Sequence, residues 1–184
     1  MSNVPWFAPG VLVSAAVAVV MAVPVGRALP LRPAAAGVLV LSFGIVISAT
    51  MTPLRLALEA GAVGTGICDF SRLGIAPFAE LDGLNDTTLN ILLFVPLGLT
   101  LCFVPWSWRK AGLLFASMAF PFVIEIFQLL VSSLARGCQS ADVADNLTGL
   151  FVGLAIGTAS RLIVRGSGQQ PRAPGHSRYR GPSP

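Results

Sequence analysis

The sequence predicts an all-α protein, a polytopic transmembrane helical bundle of about five membrane helices with its N-terminus outside and its C-terminus inside. Three observations predict it. The 184 residues are 54% hydrophobic and only 11% charged, and mean hydropathy is +0.79; a soluble domain carries about 25% charged residues. The apolar residues fall in blocks of about 18–21, the length a helix needs to cross a bilayer. The charges fall between those blocks, and their sign alternates from one connection to the next. Such a composition does not describe an ordinary cytosolic enzyme.

The first block, Val11–Leu29, follows a stretch without Lys or Arg. It lacks the basic leader of a cleavable signal and reads as a membrane helix with a kink expected at Pro24. Further spans are predicted at Ala34–Met51, Leu89–Pro105, Ala111–Val131 and Leu147–Val164. Arg27 and Arg32 separate the first two. Arg55 and Arg72 in the next connection are outnumbered by Glu59, Asp69, Glu80, Asp82 and Asp86. Arg109 and Lys110 follow, then Arg136 with Asp142 and Asp145, then Arg165, Arg172, Arg178 and Arg180, with Arg161 snorkelling at the last helix end. The positive-inside rule places the N-terminus outside and the C-terminus inside. Three parts result: two N-terminal helices (1–52), a core of one outer loop and three helices (53–165), and a basic tail (166–184) expected to be disordered.

The net charge is +4, yet five arginines lie from Arg161 onward with no acid among them. The excess is a cytoplasmic anchor; the expected partner is the lipid bilayer, not nucleic acid. The connection Pro53–Thr88 is long for a bundle and therefore a candidate for function, with a short interfacial helix expected over Pro53–Gly61. Cys68 and Cys138 both fall in outward segments, where a bridge and two unpaired thiols are equally compatible with the sequence. The cysteines show no C-x-x-C spacing and no nearby histidine, so no metal and no cofactor is expected.

Polar residues inside apolar blocks need a reason, because the bilayer penalises them. Glu125 sits about seven residues, or roughly 10 Å of helix rise, from the outer end of the fourth span. Gln128 shares its face, and Pro121 frees a backbone carbonyl nearby. This pair serves either as interhelical glue or as an acid–base or ligand group. Asp142, Asp145 and Asn146 share one face at the start of the last helix, where aspartates also cap free amides. The same helix carries Gly149, Gly153 and Gly157, a small-residue stripe for close packing. Asn90, Phe94 and Gly98 share a face of the third span, which contains Pro96. Asn90, Glu125, Gln128, Arg136, Asp142, Asp145 and Asn146 thus converge on the outer boundary. Arg136 is the expected cation for a carboxylate or a phosphate.

The one histidine, His176, lies in the tail, and the one lysine, Lys110, lies on the inner side. That excludes a Ser-His-Asp hydrolase, a histidine-ligated metalloprotease and a Ser-Lys protease acting outside. No P-loop or G-x-G-x-x-G is present. The run Asn90-Ile-Leu-Leu-Phe94-Val-Pro96-Leu-Gly98 resembles the N-x3-F-x-P-x-G signature of VanZ-like membrane proteins. Glu125 and Gln128 match that family's E-x2-Q. Arg136, Asp142, Asp145, Asn146, Gly149 and Gly153 match its Arg followed by D-x2-D-N-x2-G, and Pro77-Phe78 matches its PF pair. The likeness spans about Arg72–Gly157; Ala76 and Gly137-Cys138 depart from the pattern.

The resemblance implies a multi-pass integral protein of the bacterial cytoplasmic (inner) membrane, part of the cell envelope, and a link to resistance against teicoplanin, a glycopeptide that acts on cell-wall precursor. Three readings follow. In the first, the outward pocket binds a lipid-linked precursor or anionic head group, with Arg136 on the phosphate, Asn90, Glu125 and Gln128 orienting it, and Asp142 and Asp145 holding a cation or Arg136, beside Asn146. In the second, Glu125 and Asp142 are the acid and base of an enzyme acting on an envelope lipid. In the third, the glycines dock a partner or a second copy in a structural, homo-oligomeric bundle.

Overall fold

The computed structural model describes residues 4–167, and side chains as far as Val164. The elements are six helices, α1 (Phe7–Ala28), α2 (Pro33–Thr50), α3 (Arg55–Ala60), α4 (Asp86–Leu101), α5 (Trp108–Leu130) and α6 (Ser140–Ser167), and one two-residue parallel pair, β1 (Cys68–Asp69) with β2 (Cys138–Gln139). Four helical stretches, Phe7–Ala28, Pro33–Ala60, Trp108–Leu130 and Ser140–Val164, are long and apolar enough to cross a membrane. The third expected span, Leu89–Pro105, is α4, three to four residues earlier in the chain and 16 residues long, about 24 Å of rise against a hydrocarbon core of about 30 Å. It stops at Leu101 because Cys102–Ser107 turns the chain. The expected interfacial helix is α3, and α1 runs unbroken through Pro24. The expected disordered tail lies, from residue 168 on, outside the described residues.

Each start has a local cause. The Asn85 side chain accepts from the Thr88 amide, and Ser107 accepts from that of Lys110; both satisfy amides that have no partner within the first turn. Helix α6 begins at Ser140, so the polar run Ser140–Asn146 is helical, as expected, ahead of the apolar span Leu147–Val164. This places Asp145 inside the second turn, where it is an ion-pair partner and not a cap.

The tightest seam joins α4 to α6. A Cβ on Gly98 would collide with the Leu150 carbonyl oxygen, on Gly149 with that of Ile91, and on Gly153 with that of Val95. Only glycine allows these backbones to approach so closely. The glycine stripe is therefore filled by α4 within the chain and is not a free docking face. Phe94, Leu97, Leu101 and Leu150 bury beside this seam, with Leu39 and Val46 of α2 and Ile124 of α5. Helix α1 packs on α2, with Gly10 close against Ser48 and Gly44 against Ser14, and otherwise presents apolar side chains outward.

The bundle has two polar ends. At one, Arg109 donates to the Ala28 carbonyl and Arg161 to that of Cys102. At the other, a disulfide joins Cys68 to Cys138 across 70 residues. The Leu54 amide donates to Leu134 O and that of Gly64 to Ser132 O, at 3.0 and 2.7 Å. The long connection between α2 and α4 is thereby fastened over the ends of α5 and α6.

Candidate functional site

At the disulfide end lies a cavity of about 550 Å³, lined by Asn90, Glu125, Gln128, Arg136, Asp142 and Asn146 among others. Four segments supply these six side chains: α4, α5, the turn after α5, and the first two turns of α6. The volume falls in the usual range for small-ligand sites, about 300–1,000 Å³.

Each side chain is held by its neighbours. Glu125, 4% exposed, accepts the Gln139 amide on Oε2 at 2.7 Å. Gln128 Nε2 donates to Thr50 O at 2.9 Å. Arg136 donates from Nε to Thr52 O at 3.0 Å and from Nη2 to Ala49 O at 2.6 Å. Gln128 and Arg136 thus cap the C-terminal end of α2, whose last carbonyls have no helical partner and carry the negative end of its dipole. Asn90 reaches the Asp142 carboxylate. Arg136 is charge-paired only through space, with Asp142, Glu125 and Asp86, and burial pushes its pKa down.

Asp145 does not hold Arg136, and Arg136 is not the only cation present. Asp145 is 1% exposed and takes a bidentate pair from Arg72, Nη1 to Oδ1 at 2.9 Å and Nη2 to Oδ2 at 2.6 Å. This bond is the main reason the Arg72 pKa is raised. The Arg72 carbonyl accepts from Ser140 Oγ at 2.6 Å, and Glu80 lies 3.7 Å from its Nε. Two-point pairing of a buried carboxylate fixes position as well as charge. Asp145 stands outside the cavity and braces it. In the sequence, Arg72 is one cation in an acidic loop, 73 residues from its partner. Only its place on the same side of the predicted topology as Asp145 hinted at the pairing.

Two features set the cavity's chemistry. Asn146, 1% exposed, has an Oδ1 with no hydrogen-bond partner; an unpaired buried carbonyl costs about 1–3 kcal/mol, so it calls for an explanation. The cavity wall also has a charge surplus. Arg55 and Glu59 line it and pair with each other at 3.7 Å. That leaves the Arg136 guanidinium facing three carboxylates, Asp86, Glu125 and Asp142. Among the described residues no cluster of three or more His, Cys, Asp or Glu has the arrangement of a metal site.

Comparison with curated proteins and with solved structures finds no match. The sequence model of the VanZ/LLP1 family matches residues 39–162, which takes in most of α2 through most of α6 and the six polar side chains of the cavity named above. It leaves out all of α1, which packs on α2 and reaches the cavity through Phe7. With two thirds of its length covered by that match, the chain belongs to the VanZ/LLP1 family.

Proposed function

We propose that this VanZ-like multi-pass membrane protein holds the head group of an envelope lipid in the cavity at its disulfide end, which faces the cell exterior. The observation that carries this reading is the unpaired Asn146 Oδ1, buried in the wall of a cavity whose other polar groups are already fixed in place. Preorganised polar groups around an empty acceptor suit a ligand that donates a hydrogen bond there. The basic connections Arg27–Arg32 and Arg109–Lys110 lie at the opposite end, and the positive-inside rule assigns that end to the cytoplasm.

The surplus of carboxylates refines the ligand. A purely anionic head group would face three acids with one guanidinium. A zwitterionic one satisfies both signs, with its phosphate on Arg136 and its ammonium beside Glu125 and Asp142 and within reach of Asn146. Arg136 suits the phosphate because Nε and Nη2 are spent on the carbonyls of Thr52 and Ala49, and its plane is therefore set before a ligand arrives.

Binding of glycerophosphoethanolamine to the purified full-length protein is the direct test, followed by its thermal shift. The reading expects a stabilising shift in the native protein that is lost in Arg136→Ala and in Asp142→Asn. Teicoplanin susceptibility of cells carrying Glu125→Gln, Arg136→Ala or Asp142→Asn at matched abundance tests the link to resistance. Unchanged binding and unchanged susceptibility in all three would leave a structural bundle as the better description.

A further inference from the structure

A second cavity, about 690 Å³, opens on the side of the bundle between α5 and α6. Its floor is Phe122 and Ile126 of α5 with Val143 and Leu147 of α6, and its near wall is the segment Phe70–Ile75. This segment is neither helix nor strand, yet Phe70, Leu73 and Ile75 are 66%, 78% and 78% exposed. Apolar side chains on an irregular loop at a membrane boundary need a hydrocarbon neighbour.

The wall is not slack. The Cys68–Cys138 disulfide pins it at one end, and the Arg72–Asp145 pair and the Ser140–Arg72 hydrogen bond pin its middle. A rigid wall held away from two membrane helices makes a slot, whereas a loose loop would collapse onto them.

The slot also joins the polar cavity. Glu125 and Gln139 line both, and the hydrogen bond between them forms the partition. On one side the lining is charged; on the other it is almost wholly apolar. An amphiphile is the class of molecule with that division.

We infer that the slot between α5, α6 and the Phe70–Ile75 wall seats one acyl chain of the membrane phospholipid whose head group enters the polar cavity, so that the lipid passes the Glu125–Gln139 partition at its glycerol. This inference rests on the head-group reading above and adds the chain. The occupant is a bilayer lipid because the slot opens through the faces of two spanning helices, where acyl chains are at hand.

Full-length protein in nanodiscs containing trace phosphatidylethanolamine with a diazirine in one acyl chain is irradiated and its adducts are mapped. Adducts are expected on Leu73, Phe122, Ile126 and Val143 in excess over Phe115 and Ile163, which are equally apolar and more exposed than either helix residue of the slot floor on α5. Ile126→Trp, at a position more than half exposed, fills the slot without touching the core. It should lower slot adducts about tenfold, the weight of two buried methylenes. Val152→Trp, at the far end of the slot, repeats the test independently. Adducts spread evenly over all apolar faces would mean annular lipid alone and would overturn the inference, even if glycerophosphoethanolamine still binds. Slot-focused adducts from a phosphatidylglycerol probe as strong as those from phosphatidylethanolamine would support the chain seat while removing the zwitterionic head-group reading.

Discussion

Helix α6 meets its neighbours in two different ways along its length. Over Gly149, Gly153 and Gly157 it lies against α4 so closely that no side chain fits between the backbones. One to three turns earlier, over Asp142 and Asn146, it stands back and borders a cavity of about 550 Å³. The first region is closed and has no spare polar group at the contact. The second is open and retains an acceptor without a donor. The contrast separates two uses of one helix. Close packing by small residues holds the membrane helices together where lipid supplies no hydrophobic drive between them. Polar groups, expensive in the same setting, are gathered in the wall of the cavity.

That division can be broken most severely at the brace between the two regions. Arg72→Ala strands the Asp145 carboxylate, and a buried charge without its partner is expected to cost about 3 kcal/mol. Melting in detergent measures the loss, and the double replacement Arg72→Leu with Asp145→Leu should recover most of it. A single mutant that melts like the native protein would show that the pair does not brace the site. Next, Gly149→Ala drives a methyl onto the Ile91 carbonyl and should cost about 2–3 kcal/mol by overpacking, with reduced membrane abundance as the cellular readout.

Removing the disulfide should have a smaller effect. Cys68→Ala is expected to cost about 2 kcal/mol, at the low end for a loop of 70 residues, because a bilayer already restricts the unfolded chain. Reductant should reproduce this loss in the native protein and leave the mutant unaffected. On the open side of the comparison, Arg136→Ala should weaken glycerophosphoethanolamine binding at least about tenfold, the usual worth of a charge-assisted contact, as read by calorimetry. The smallest effect on stability is expected from Asn146→Leu. Its Oδ1 has no partner to lose, so melting should move by less than about 1 kcal/mol, while head-group binding falls. A large loss of stability in this mutant would move Asn146 from the ligand side to the structural side.

Much of this arrangement was legible in the chain. Period and block length placed four of the spans to within a few residues, because a helix in hydrocarbon must satisfy its own backbone and be apolar over a set length. The polar residues stood out for the complementary reason: Glu125 and Gln128 interrupt an apolar run, and Asp142 and Asn146 share a face at one end of another. Their gathering at one end of the bundle followed from topology alone. The stop of α4 at Leu101, four residues short of the expected Pro105, was not legible, since such an end is set by turns and packing whose strength depends on neighbours.

What the sequence determined by itself was therefore the class of fold, the gathering of polar residues at one end of the bundle and the membership of one family, all consequences of local composition and spacing. Only the tertiary structure decided which polar group meets which. Asp145 belongs to Arg72 and not to Arg136, Gln128 and Arg136 cap the end of α2, the cysteines of two distant loops are joined, and the glycine stripe is occupied by α4. Pairings of this kind depend on distances across 50 to 90 residues of chain. Spacing along one helix carries no information about the partner that another helix brings.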